Sequence, residues 1–317
     1  MTSERAVATA VTAATSARAA ASRENLAARE DLEARSGSAT ALLRTVVGAV
    51  LRPIGGWLSA SGAVALMASL DVPAATTRSS LARLCARGVL VREQREGVAG
   101  YAIDPAALPM LERGDARIFG PRQEAERWCL VSFSFPEHQR SLRHRLRSRL
   151  SALGCGTVAD GLWIAPAALE SEVAEAMEAA GGSATLFGEA AVRGDLAAGL
   201  ARWYDLPAIR ALHDSFLSRF SGLDGFSGLD GFPGLDGFGL DGFEPDGAAA
   251  PADDRAAFAA WIRALDEWRV IPYRDPGLPA SALPDDWPGA ASAALFDRLR
   301  RELEPRAVRH AALSSAR

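Results

Sequence analysis

The sequence predicts an α+β chain of three parts: an N-terminal winged helix-turn-helix, a middle ferredoxin-like α/β sandwich and a C-terminal helical domain. Three observations carry that prediction. Three helix-periodic segments between 40 and 88 are followed by two short strand-like runs, the order of a winged helix. Strand-like stretches then accompany two helical ones from 127 to 187, as in a ferredoxin-like sandwich. From 196 onward the apolar residues recur at helical spacing. The expected boundaries are 39–105, 125–192 and 196–317, after a tail at 1–38 and with a low-complexity loop at 221–250.

In the first part, Leu43, Val46, Val47 and Val50 mark a helix that Pro53-Ile54-Gly55-Gly56 stops. Ser59 to Leu70 supplies the second helix, with Val64, Leu66, Met67 and Leu70 facing inward. Asp71-Val72-Pro73 is the turn to the third. On that third helix Thr77, Leu81, Leu84 and Cys85 fall on one side. Thr76, Ser79 and Arg83 fall opposite, with Arg78 at the border. Side chains of these types at a helix N-terminus suit phosphate and base-edge contacts, although such a face is often merely solvated. Val89-Leu90-Val91 begins a strand, a polar turn is expected from Arg92 to Gly100, and Tyr101-Ala102-Ile103 returns. A linker with Pro105, Pro109 and Pro121 follows.

The middle part opens on a strand, Arg127–Phe135, and a basic helix from His138 to Leu153 with Leu142, Leu146, Leu150 and Leu153 as its apolar stripe. A strand-like stretch at Thr157–Ile164, an acidic helix at Leu169–Ala180 and a strand at Ala184–Phe187 complete it. The arginine face of the first helix could touch nucleic acid or pair with Glu170, Glu172, Glu175 and Glu178 on the second, and the pairing is the expectation preferred here. In the third part, helices are expected over Leu196–Phe220 with a break near Pro207, over Arg255–Val270 and over Ala290–Leu303. Between them the run SGLDGF-SGLDGF-PGLDGF-GLDGF fills 221–243. One carboxylate per unit is too few to build a calcium solenoid, so a tolerated glycine-rich loop is expected instead.

Composition narrows the function. At 317 residues there is room for two or three domains, and every basic residue is arginine. The net charge of −4 argues against indiscriminate coating of nucleic acid. Yet from 39 to 103 seven arginines stand against Asp71, Glu93 and Glu96, a local +4, so the remainder carries −8. Cys85, Cys129 and Cys155 have no metal-ligand spacing and read as reduced thiols of a cytoplasmic protein. No apolar run reaches the ~20 residues of a membrane helix, and the N-terminal tail has no apolar core of a secretion signal. None of His138, His144, His213 and His310 falls in a catalytic or metal-binding motif, and no glycine-rich phosphate fingerprint follows a strand. The expectation is a protein that is not an enzyme and holds no metal or cofactor.

Five stretches in order then resemble the PaaX family of transcriptional regulators, the phenylacetic-acid-degradation repressor type. They are RPIGGWL (52–58), TTRSSLARLCARGVL (76–90), WCLVSFSFPEHQRSLRHRLRSRLSALGCGTVADGLWIAP (128–166), WYDL (203–206) and YRDPGLPASALPDDWPGAASAALFDRL (273–299). The resemblance implies a winged helix, a middle domain of the Cas2-like ferredoxin fold and a helical C-terminal domain. It also implies a homodimer on double-stranded DNA with a palindromic operator, usually acting as a repressor of a catabolic operon and released by an aryl-acyl-coenzyme A. Arg78, Ser79 and Arg83 match the major-groove positions; Thr76, Arg87 and Arg95 complete the expected DNA-binding set. Trp203, Tyr204, Trp268, Arg269, Tyr273, Arg274, Asp275 and Trp287 would belong to or border the effector-sensing region, although such residues often only lock helices together.

Two departures stand out. Where the family's wing has a basic, aromatic run after its glycine, this chain has Gly97-Val98-Ala99-Gly100-Tyr101. Where a Cas2-like nuclease needs an acidic residue on its first strand, Ser132 and Ser134 stand, with Glu137 beyond. The rivals to a regulator are a metal-dependent nuclease on the middle domain and a protein-interaction module whose winged helix contacts protein.

Overall fold

The computed structural model describes residues 36–181, 183–223 and 252–315. Most of the expected tail at 1–38, and the repeat loop from 224 to 250, lie outside the described residues.

The Ser38 hydroxyl accepts from the Ala41 amide and caps α1 (Ala39–Val46), which continues through a π-helical turn at Val47–Leu51. Gly55 and Gly56, both at positive φ, turn the chain into β1 (Trp57–Ser59). This strand has too few residues to show a period. Ser59 accepts from the Gly62 amide at 2.8 Å and caps α2 (Ala60–Ala68). Asp71, in the left-handed region at φ 61°, reverses the chain, and Pro73 leads into α3 (Ala74–Ala86). The hairpin of β2 (Leu90–Arg95) and β3 (Val98–Ile103) closes on Glu96 and Gly97, at φ 49° and 83°. Two successive positive φ values are those of a type I′ turn. The turn is therefore two residues, not the whole stretch from 92 to 100. The wing is solvated on both faces near its tip, so its strands lack the alternation that marks a half-buried one. β1 joins the hairpin in the order β1-β3-β2.

The linker expected after 105 is mostly helix, α4 (Leu108–Phe119); Pro109 falls in its first turn, where a missing N–H costs nothing. Next come β4 (Trp128–Phe133), α5 (Arg140–Ala152), β5 (Gly156–Ala159), β6 (Leu162–Pro166), α6 (Glu170–Ala180) and β7 (Ala184–Ala190). The stretch read as one strand at 157–164 is a hairpin turning at Asp160-Gly161. The four strands form an antiparallel sheet in the order β5-β6-β4-β7, the split β-α-β arrangement of a ferredoxin-like domain. The remaining helices are α7 (Leu196–Trp203), α8 (Leu206–Phe220), α9 (Ala252–Trp268), the single turn α10 (Ile271–Arg274) and α11 (Gly289–Ser315). The last runs twelve residues past Leu303 and through Pro305, because Ala307, His310, Ala311 and Ser314 are buried and hold its second half in place.

The chain divides into two compact units. One comprises Ala116–Arg210 and Val270–Trp287 and is built on the four-stranded sheet. One side of that sheet carries Cys129, Val131, Phe133, Trp163 and Ala165 against Leu146 and Leu150 of α5 and Val173 of α6. The other carries Trp128 and Ile164 against Leu200, Tyr204, Ile209, Leu278 and Leu283. The second unit joins the winged helix to α9 and α11, with α9 contacting α1 and α11 contacting α2. Its aromatic core stacks Trp268 on Phe296 at 4.4 Å between centroids, and Phe216 lies 5.2 Å from Trp268. The segment 196–317, read as one helical domain, is thus shared between two units. Its parts bury apolar faces against different partners, which helical periodicity does not identify.

The expected pairing of α5 arginines with α6 glutamates is absent among the described residues. Glu172 instead accepts from Arg117 of α4 at 2.9 Å, and Arg117 also stacks on Tyr273 at 4.4 Å. Arg149 donates to the Ala176 carbonyl, while Arg143 and Arg147 reach Glu137 and Asp160. Of the three free cysteines, Cys129 and Cys155 are buried, and burial pushes the Cys129 thiol up to about 11.

Candidate nucleic-acid interface

The candidate reading helix α3 is held by its inner side. Thr77, Ser80, Leu81 and Leu84 are buried, and the Ser80 hydroxyl lies 3.1 Å from that of Thr40 on α1. Thr77 bonds back to the Pro73 carbonyl at 3.2 Å, which fixes the first turn. That anchoring leaves Thr76, Arg78, Ser79 and Arg83 exposed on the outer side. Ser79 donates to the Ala75 carbonyl, and Arg83 reaches the Thr40 hydroxyl at 3.4 Å. No acidic side chain occupies the first turn, so nothing there opposes the positive end of the helix dipole.

The two remaining candidates differ from these. Arg87 is the C-cap residue of α3 and half-buried, at the opposite end of the helix from Thr76. Arg95, near the wing tip, donates to Glu93 at 2.5 Å and lies over the Trp57 ring at 5.4 Å. Trp57 itself donates from its indole N–H to the Glu93 carbonyl. Arg95 therefore braces the wing against β1 as well as adding charge to it. Sequence reasoning missed this support because Trp57 lies on a strand too short to recognise.

Local charge is redistributed within this unit. Asp71, just before α3, accepts from Arg263 of α9 at 2.8 Å, and Arg52 pairs with Asp115. Two acids that would oppose an approaching polyanion are thereby compensated.

The eight residues assigned to effector sensing are divided by the fold. Trp268 and Arg269 lie in the unit of the winged helix, and the other six in the unit of the four-stranded sheet. Trp268 stacks on Phe296, and Arg269 donates to the buried Asp266 carboxylate at 3.0 Å. In the sheet unit, Tyr204 is buried and donates to the Ile164 carbonyl at 3.2 Å; burial raises its hydroxyl well above the usual range. Asp275 accepts from the Leu278 amide, and Tyr273 lies under Arg117. Trp287 lies under Arg210 at 5.7 Å, and Arg210 also pairs with Asp286, whose carboxyl its hydrogen bond lowers. Trp203 is half-buried and Arg274 exposed. No three His, Cys, Asp or Glu side chains come together in a metal-binding group among the described residues. No helix is long and apolar enough to cross a membrane among them.

Three family models match the chain in order. Residues 38–104 match the PaaX-like protein model, 121–195 the PaaX protein central Cas2-like domain, and 243–313 the PaaX-like protein C-terminal domain. No curated protein matches. Among solved structures, the uncharacterized protein Rv0674 from Mycobacterium tuberculosis is similar at 22% identity and a TM-score of 0.48, over 84% of this chain and 97% of that one. With a winged helix, a Cas2-like middle domain and a helical C-terminal segment each matched in turn, the chain belongs to the PaaX family of transcription regulators.

Proposed function

We propose that the protein is a DNA-binding repressor of a catabolic operon. It acts as a homodimer on a palindromic operator and is released by a small acyl ligand such as an aryl-acyl-coenzyme A. The observation that carries this reading is α3. Its inner side is anchored by buried Leu81 and Leu84, while Thr76, Arg78, Ser79 and Arg83 are presented together outward. A helix of that make-up enters the major groove, where arginine bonds guanine edges and the hydroxyls bond phosphates or bases. Arg87 and Arg95 serve as flanking backbone contacts. Two modules in a dimer place two such helices about one helical turn apart, or a multiple of it.

The acyl effector belongs with the sheet unit. Of the eight candidates, Trp203 and Arg274 keep an accessible ring and cation, whereas Tyr204, Arg269 and Asp275 are committed to internal bonds.

Binding of the purified chain to genomic DNA fragments, with sequencing of what is retained, tests the function. The proposal requires recovery of a palindromic sequence and a steep fall of log K with log salt. Salt-insensitive binding, or none, would leave a protein-interaction module. Cutting of the same duplex in magnesium would leave a nuclease.

A further inference from the structure

The arginines of α5 find no carboxylate on α6 among the described residues, and four side chains of α5 shape the surface beside them. Arg140, Arg143, His144 and Arg147 occupy successive positions of one helix face and together line a shallow depression open to solvent. The adjoining face holds the helix down: Leu146 and Leu150 are fully buried on the sheet, with Leu142 and Leu153 packed beside them. The cationic face is therefore fixed in place by the core.

The acids nearby do little to neutralise it. Glu137 meets Arg143 at 3.5 Å and Asp160 meets Arg147 at 2.9 Å, but both carboxylates are largely exposed, where such pairs are weak. From 137 to 160 five arginines face only these two acids, a local +3 within the part of the chain that is otherwise strongly acidic. Such a concentration opposes the background charge of its own surroundings.

We infer that this face of α5 is a second duplex-binding surface, one that grips the phosphate backbone and reads no sequence. The inference rests on the reading of the protein as a DNA binder. From Arg140 to Arg147 the helix rises about 10.5 Å. Three arginines over that rise are spaced to meet about two or three successive phosphates of one strand, one each. The lining is three arginines and one histidine, with no Phe, Tyr or Trp ring to stack a base. Single-stranded nucleic acid and the adenosine of a coenzyme would both call for such a platform. The duplex backbone needs only the charges.

The test is the triple substitution R140Q/R143Q/R147Q in the full chain, beside the charge-keeping R140K/R143K/R147K. Each is titrated with a fluorescent random-sequence duplex at several salt concentrations, after circular dichroism has shown native helix content. Each phosphate that an arginine neutralises adds about 0.9 to the slope of log K against log salt. The glutamine variant should therefore lower that slope by about 2–3 and weaken low-salt binding about tenfold or more. The lysine variant should keep the slope.

An unchanged slope in the glutamine variant, with a wild-type chain that binds the duplex, overturns this inference and leaves the proposed function standing. A wild-type chain that binds no duplex overturns both. Coenzyme A bound calorimetrically by the wild type but not by the glutamine variant, with duplex affinity unmoved, overturns it too and reassigns the face to a small phosphate ester.

Discussion

Thr45 donates its hydroxyl to the carboxylate of Asp266 at 2.9 Å, joining the first helix of the DNA-binding module to a helix 221 positions later. Asp266 is buried, and its carboxylate also accepts from the Ser36 hydroxyl, the Gly37 amide and Arg269. A buried carboxylate is tolerable only with such a full set of donors. The entry to α1 is thus fixed by the C-terminal part of the chain.

Asp266→Ala should accordingly cost about 3 kcal/mol of stability, since it strands Arg269 and three further donors. Thr45→Val should cost about 1 kcal/mol. The measurement is a denaturation series including the double variant. Additive losses would show that the two residues act independently.

Gly62 lies where α2 meets α11, and a Cβ built there would come within 2.5 Å of the Ser314 carbonyl oxygen. In an open helix Gly→Ala gains about 1 kcal/mol. Here Gly62→Ala should instead lower the melting temperature, because the obstacle is backbone rather than a yielding side chain. A stabilised variant would mean that α11 does not pack on α2 as closely as described.

Asp254 at the start of α9 accepts from Arg309 and Arg306 of α11, at 3.0 to 3.1 Å. The Arg309 hydrogen bond is the largest cause holding its carboxyl below the ordinary carboxylate value. A depressed folded-state pKa adds stability above the unfolded value, about 3.9, that is lost as pH falls through the folded value. Asp254→Asn should therefore be less stable than wild type by about 2 kcal/mol at pH 7, with the gap closing below about pH 4. A gap that stays constant to about pH 2 would mean the charge contributes nothing.

Arg78→Ala should cost about 1–3 kcal/mol on the specific operator, if Arg78 reads a base edge, and much less on random DNA. Equal losses on both duplexes would make it a phosphate contact. Arg263→Ala, which uncovers Asp71 beside the same helix, should weaken both modestly, by less than about 1 kcal/mol.

The local elements were legible where one face of a segment is apolar. Leu81 and Leu84 on α3, and Leu146 and Leu150 on α5, recur at helical spacing because each packs on a core, and burial follows that spacing. The same logic set Thr76, Arg78, Ser79 and Arg83 apart as an outer face. It failed at β1, too short to show a period, along the wing, where neither face near the tip is buried, and at α4, where prolines imitated a linker.

What the sequence determined by itself is most of the helices and strands, the family, and the chemistry that the outer face of α3 offers. Which segments cover which was settled only by tertiary structure. The C-terminal segment is helical by period alone, yet α9 and α11 complete the winged helix, while Val270–Trp287 packs in the unit of the four-stranded sheet. Apolar spacing says that a face must be covered and is silent about the partner. Charge is less informative still: the glutamates of α6 looked made for the arginines of α5, but exposed ions gain little from pairing. Shape left the α5 arginines their own open surface.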